Sequence, residues 1–245
     1  MAVSETLFVF ILGMVFGSFG NVLISRVPKG ESIITPGSHC PKCLTPIKVY
    51  HNIPLFSWLW LRGRCAACGE KISPIYPLVE LGTGVIFLSV YWKVGISLFA
   101  LDAALAFFLL FVLSMIDLEH KAVPDHINLP AFLIALLASP FFLHNLENAL
   151  LIAGGMAMLR FAVSWALRKE AMGEADIIVG GTMGALLGVE QTLMAIFAAS
   201  LISLPFALVG RFRGEEPEIP FIPFLALGSW LVYLFGSYVP LFRGI

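Results

Sequence analysis

"LFALDAALAFFLLFVLSMIDLEHKAVPDH", residues 98–126, runs through apolar side chains almost without interruption and then breaks into charge at Asp117. About 20 apolar residues suffice to carry a helix across the hydrocarbon of a bilayer. The rest of the chain is of the same kind: 59% of its 245 residues are hydrophobic and 13% charged, more apolar surface than a water-soluble domain of that size hides. Comparable runs lie at 7–25, 78–92, 98–116, 127–143, 148–167, 177–190, 192–210 and 221–241. Backbone polar groups in lipid must be satisfied by a helix or a closed barrel, and no alternating ten-residue segments mark a barrel. The expectation is an all-α polytopic membrane protein with about eight transmembrane helices.

No basic residue precedes the first run and Glu5 stands where a positive region belongs, so residues 1–25 read as a retained first transmembrane helix and not as a removable signal. Gly13, Gly17 and Gly20 in it suit close helix packing. Lysine and arginine set the orientation. With residue 26 in the cytoplasm, the inner loops hold Arg26, Lys29, Lys42, Lys48, Arg62, Arg64, Lys71, Lys121, Arg168, Lys169, Arg211 and Arg213. The outer segments keep only Lys93 and Arg243. Both termini are then outside. Arg160 falls inside the fifth run, where it must snorkel or pair. A net charge of −1 gives no support to nucleic-acid binding.

The largest polar interval, 26–77, holds every cysteine: Cys40 and Cys43 in "CPKC", Cys65 and Cys68 in "CAAC". Two such thiol pairs complete the tetrahedral shell of a structural zinc site. A disulfide pairing is the competing reading, and a cytoplasmic placement argues against it. Four ligands leave no open position, so the zinc holds a small fold together. Between the pairs, "IPLFSWLWLRGR" is apolar and too short to span. Trp58 and Trp60 suit the headgroup level, and Arg62 and Arg64 suit anionic lipid, which would lay the insert on the membrane; a core strand of the insert is the alternative.

Charge is costly in a span, so carboxylates at helix ends are functional candidates. The topology takes Asp117, at the end of the third run, and Asp176, in "GEAD" at the start of the sixth, to the same cytoplasmic lip. Two aspartates there can share one proton, the ionised member activating water while the protonated one polarises a peptide carbonyl. Asp125, after Pro124, reads as a helix N-cap. Glu80, inside the second run, serves the helix dipole or a cofactor. Asp102 and Glu147 read as solvated. Asp117, Glu119, His120, Asp125 and His126 could instead gather around a divalent metal, although no fixed ligand spacing marks one.

"GSFGNVLISRVPKGESI", the two CxxC pairs, "NIPLFSWLWLRGRC", "ISPIYPLVELGTG", "IDLEHKAVPD" and "MGEADI" together resemble the bifunctional type IV prepilin peptidases, also called leader peptidase and N-methyltransferase, which are GxGD-type intramembrane aspartic proteases. The resemblance covers most of the chain. It implies a catalytic pair at Asp117 and Asp176, with Asp125 in support. It also implies removal of the basic leader of type IV prepilins or pseudopilins at the cytoplasmic face of the bacterial inner membrane. Methylation of the new N-terminus by S-adenosylmethionine would follow, associated with the cysteine insert. The division implied is 1–25 first helix, 26–77 zinc insert and methyltransferase part, 78–245 peptidase domain. The chain departs from the family pattern at Ala175, where the second glycine of GxGD stands, at Ile178 in place of a lysine, and at His51. No glycine-rich fingerprint outlines a cofactor pocket, which leaves Glu80 as the one cofactor candidate. Membrane lipid is the other expected partner, and self-association stays open. A non-enzymatic scaffold or transporter with a zinc-stabilised module is the rival function, and a metal-dependent lipid-phosphate enzyme a second.

Overall fold

The computed structural model describes residues 3–169, 172–212 and 220–236. Arg213, Arg243 and positions 237–241 of the last apolar run lie outside the described residues. Nine helices form among those described: α1 (Val3–Arg26), α2 (Phe56–Trp60), α3 (Ile75–Val94), α4 (Leu98–His120), α5 (Asp125–Leu136), α6 (Phe142–Leu167), α7 (Glu174–Leu187), α8 (Val189–Phe212) and α9 (Ile222–Phe235). Pairing of extended chain is limited there to two isolated bridges, His39 with Pro46 and Arg64 with Lys71. Each of the eight apolar runs falls on its own helix, and the all-α membrane architecture is as read. α1, α3, α4, α6 and α8 are long and apolar enough to cross a membrane, whereas α5 and α9 are shorter apolar helices.

Contacts divide the chain into two compact units, Met1–Trp92 and Lys93–Ile245. In the first, α1 has two faces. Leu7, Phe8, Ile11, Val15 and Phe19 are exposed at helical spacing, while Gly13, Gly17 and Gly20 are buried. A Cβ on Gly17 would stand 2.6 Å from Glu80 Cα, and one on Gly13 2.8 Å from Phe87 Cβ. Small residues thus let α1 and α3 meet at backbone distance, the packing that works where burial of apolar side chains offers no advantage over lipid.

In the second unit α4 is the buried centre, with Ala106, Leu110, Val112, Leu113 and Ile116 fully enclosed. It packs on α5 and α9, and α7 packs on α5 and α6. The same small-residue device recurs. A Cβ on Gly184 of α7 would meet Asn148 O at 2.7 Å, and one on Gly228 of α9 would meet Ala195 O at 2.6 Å. Outward, α6 shows Leu150, Leu159, Phe161 and Trp165, and α8 shows Leu193, Phe197 and Leu201. Large apolar side chains outside and small ones between helices suit a lipid solvent. Arg160 of α6 pairs with Glu174 at the start of α7, N to O 3.1 Å.

Candidate active site and metal centre

Asp117 lies in the last turn of α4 and is 6% exposed. Its Oδ2 accepts the backbone N–H of Ile222, the first residue of α9, at 3.2 Å. Asp176 is the third residue of α7, and its Oδ2 accepts the backbone N–H of Gly173 at 3.0 Å, closing the first turn. α4 and α7 are in contact. The two aspartates are 59 positions apart in the chain.

Ala175 sits in the right-handed helical backbone of α7 and is not among the residues with positive φ. Glycine's conformational freedom is not needed there, and a methyl group is accommodated. Its carbonyl accepts Asn128 Nδ2 of α5 at 3.2 Å. Asn128 is wholly buried, and its Oδ1 has no hydrogen-bond partner among the described residues. That residue was passed over in reading "DHINLP" as a cap followed by a span; an amide on the inner face of an otherwise apolar helix was the signal.

Several expectations are corrected. Asp125 is the first helical residue of α5, with Pro124 in the cap position and no side-chain cap bond. A proline ahead of the helix already presets the entry, so the carboxylate projects to the outside. Glu119, His120, Asp125 and His126 are all exposed, and among the described residues only the four cysteines converge as a metal-ligand set. Glu147 is exposed as expected, whereas Asp102 is half-buried. "FSWLW" forms the short helix α2 and no strand. Trp60 is exposed, but Trp58 is tied into the insert by a hydrogen bond from Nε1 to Ile72 O at 3.3 Å.

The insert is built from two copies of one turn. Leu44 N–H bonds Cys40 O and Cys40 N–H bonds Thr45 O; Gly69 N–H bonds Cys65 O and Cys65 N–H bonds Glu70 O. The bridges His39–Pro46 and Arg64–Lys71 occupy the same offsets from the leading cysteine. Each turn ends in a left-handed residue, Leu44 at φ 57° and Gly69 at φ 73°. Lys42 of one turn is ion-paired with Glu70 of the other. All four sulfurs lie within 4.8 Å of one another, with Cys40 and Cys68 3.8 Å apart. A tetrahedron of zinc–sulfur bonds of about 2.3 Å has edges of about 3.8 Å, so the set is suited to zinc.

The thiols also disagree in acidity. A hydrogen bond with the Thr45 side chain draws Cys43 down to about 6. The backbone N–H groups of Cys68 and Ala67 draw Cys65 down as well. At Cys68 the Glu70 amide pulls downward, but desolvation and the facing sulfurs prevail and push the thiol up to about 12. Four thiolates cannot share so small a space without a cation, and a divalent ion would supply it.

Glu80 is buried in α3. Its carboxylate accepts the Leu55 N–H at 2.7 Å and hydrogen-bonds Ser18 of α1. It fastens the insert at a point of strain, since Leu55 has φ 61°.

The bacterial peptidase A24 N-terminal domain matches residues 11–94, and the type IV leader peptidase family matches residues 103–208. A prepilin leader peptidase/N-methyltransferase of Stutzerimonas stutzeri is 33% identical, covering 94% of this chain and 90% of its own. Its namesake in Neisseria gonorrhoeae is 33% identical over 91% and 88%, and that in Bacillus subtilis 33% over 93% of both. No solved structure matches. With its helices, its paired cysteine turns and its matched length, the chain belongs to the type IV leader peptidase family.

Proposed function

We propose that the chain is a membrane-embedded aspartic endopeptidase that removes the basic leader of type IV prepilins or pseudopilins, with Asp117 and Asp176 as its catalytic pair. The observation that carries this is their placement: two carboxylates on contacting helices, Asp117 in the last turn of α4 and Asp176 in the first turn of α7. One shared proton lets the ionised member draw a proton from water while the protonated member hydrogen-bonds the scissile carbonyl. Helix ends at the lip of a bilayer admit the water that its centre lacks. A prepilin stem lying among the helices, with its basic leader in the cytoplasm, brings the peptide link to that height. The positive-inside bias supports a cytoplasmic site in the inner membrane.

The names of the relatives support a second activity, N-methylation of the trimmed product with S-adenosylmethionine as donor, and we assign it to the insert at 26–77, leaving 78–245 as the peptidase part. Cys40, Cys43, Cys65 and Cys68 would hold a structural zinc ion there. Glu80 is already bonded to Leu55 and Ser18, and no step of methyl transfer is assigned to it. Asp117→Asn and Asp176→Asn, inserted and folded as the parent, should each slow leader removal by at least about a hundredfold, read by mass spectrometry of a prepilin substrate. Near-parental cleavage by either variant refutes the pair.

A further inference from the structure

Phe221, in the cap position of α9, makes no side-chain cap bond. Of the groups in its first turn, Pro223 has no N–H, and the amides of Phe224 and Leu225 fold back onto Phe221 O at 3.1 and 3.2 Å. Phe221, in the cap position, offers no side-chain acceptor. The remaining donor, Ile222 N–H, is directed to Asp117 Oδ2, 105 positions away. Helices ordinarily satisfy such donors with a neighbouring Ser, Thr, Asp or Asn. Here the acceptor is a carboxylate borrowed from another helix.

The arrangement is rigid. Ile222 and Leu225 are 1% and 0% exposed. The rings of Phe107 in α4 and Tyr233 in α9 stand 5.0 Å apart, and the Lys93 ammonium lies 4.2 Å from the Tyr233 ring at the other end of the helix. The Asp117 carboxylate makes no other hydrogen bond among the described residues. Of the charged groups on the packed elements, Asp176 lies in the first turn of α7, which contacts α4; α9 carries no charged side chain, and Asp125 and His126 of α5 are exposed.

We propose that the N-terminus of α9, through the Ile222 amide, is a positioning element of the peptidase: it holds Asp117 Oδ2 and so fixes the other oxygen toward water and the peptide link. This rests on the reading of Asp117 as catalytic. A carboxylate anchored at one oxygen keeps a set rotamer, and reaction rate is sensitive to misplacement on that scale. Cap and catalyst thus draw on the same side chain.

The test exchanges the Ile222 amide for an ester in the full-length protein by incorporating the α-hydroxy acid that matches isoleucine. The donor is deleted and the side chain kept. The same exchange at Phe224, whose N–H bonds Phe221 within α9, is the control, and Asp117→Asn is run alongside. The 222 ester should lower kcat for leader removal about ten- to a hundredfold, as expected for a lost hydrogen bond to a charged group. KM should stay within about twofold, methyl transfer to a substrate already lacking its leader should be unchanged, and the 224 ester should cleave as the parent does. Parental kcat at 222, an equal fall in both esters, or joint loss of cleavage and methyl transfer would overturn the proposal. Cleavage surviving in Asp117→Asn would instead overturn the catalytic reading beneath it.

Discussion

Leu44 and Gly69 occupy equivalent places at the ends of the two cysteine turns, both with left-handed backbones. Only one of them is a residue that adopts this conformation freely. Leu44 is 68% exposed, so its side chain contributes little packing to offset the strain. Leu44→Gly should therefore raise the stability of the metal-loaded insert by up to about 1 kcal/mol, measured as a higher Tm, while Gly69→Leu should lower it by a similar amount. Nothing in "CPKCL" announces this strain, because a leucine has no sequence mark of a left-handed backbone; the matching glycine in "CAACG" is the legible half. The catalytic candidates were legible for a different reason. A carboxylate costs free energy next to a span, so Asp117 and Asp176 stood out against an apolar background. Ile222 did not, since its contribution is a main-chain N–H that every residue but proline carries.

At the level of helices, apolar length located all eight runs because lipid makes it the dominant signal. Ends were less readable: α5 starts one residue beyond the proline rather than being capped by Asp125, and α2 emerged from a stretch too short for periodicity to decide. Glycine patterns read better than charge patterns here, as small residues mark where helices approach. α6 and α7 give a paired test. Gly184→Ala places a methyl group 2.7 Å from Asn148 O, and overpacking against backbone should cost about 1–3 kcal/mol. Gly154→Ala in α6 meets nothing within 4 Å and should leave stability unchanged or raised by up to about 1 kcal/mol. Thermal unfolding of both variants in the same detergent checks the contrast.

Taken whole, the chain places the two proposed chemistries in different units. The cysteines lie in the unit ending at Trp92, and Asp117, Asp176 and the α9 N-terminus lie in the unit beginning at Lys93. Stripping metal with a strong chelator should abolish methyl transfer and expose the insert to protease, while leader removal persists; simultaneous loss of both activities would show that the second unit depends on the first. One feature of the first unit bears on how the protein is made. Glu80 clasps Ser18 and Leu55 together, yet translation delivers those two before the glutamate exists. This latch can close only once α3 has left the ribosome, which places the final seating of both earlier segments after the synthesis of the third.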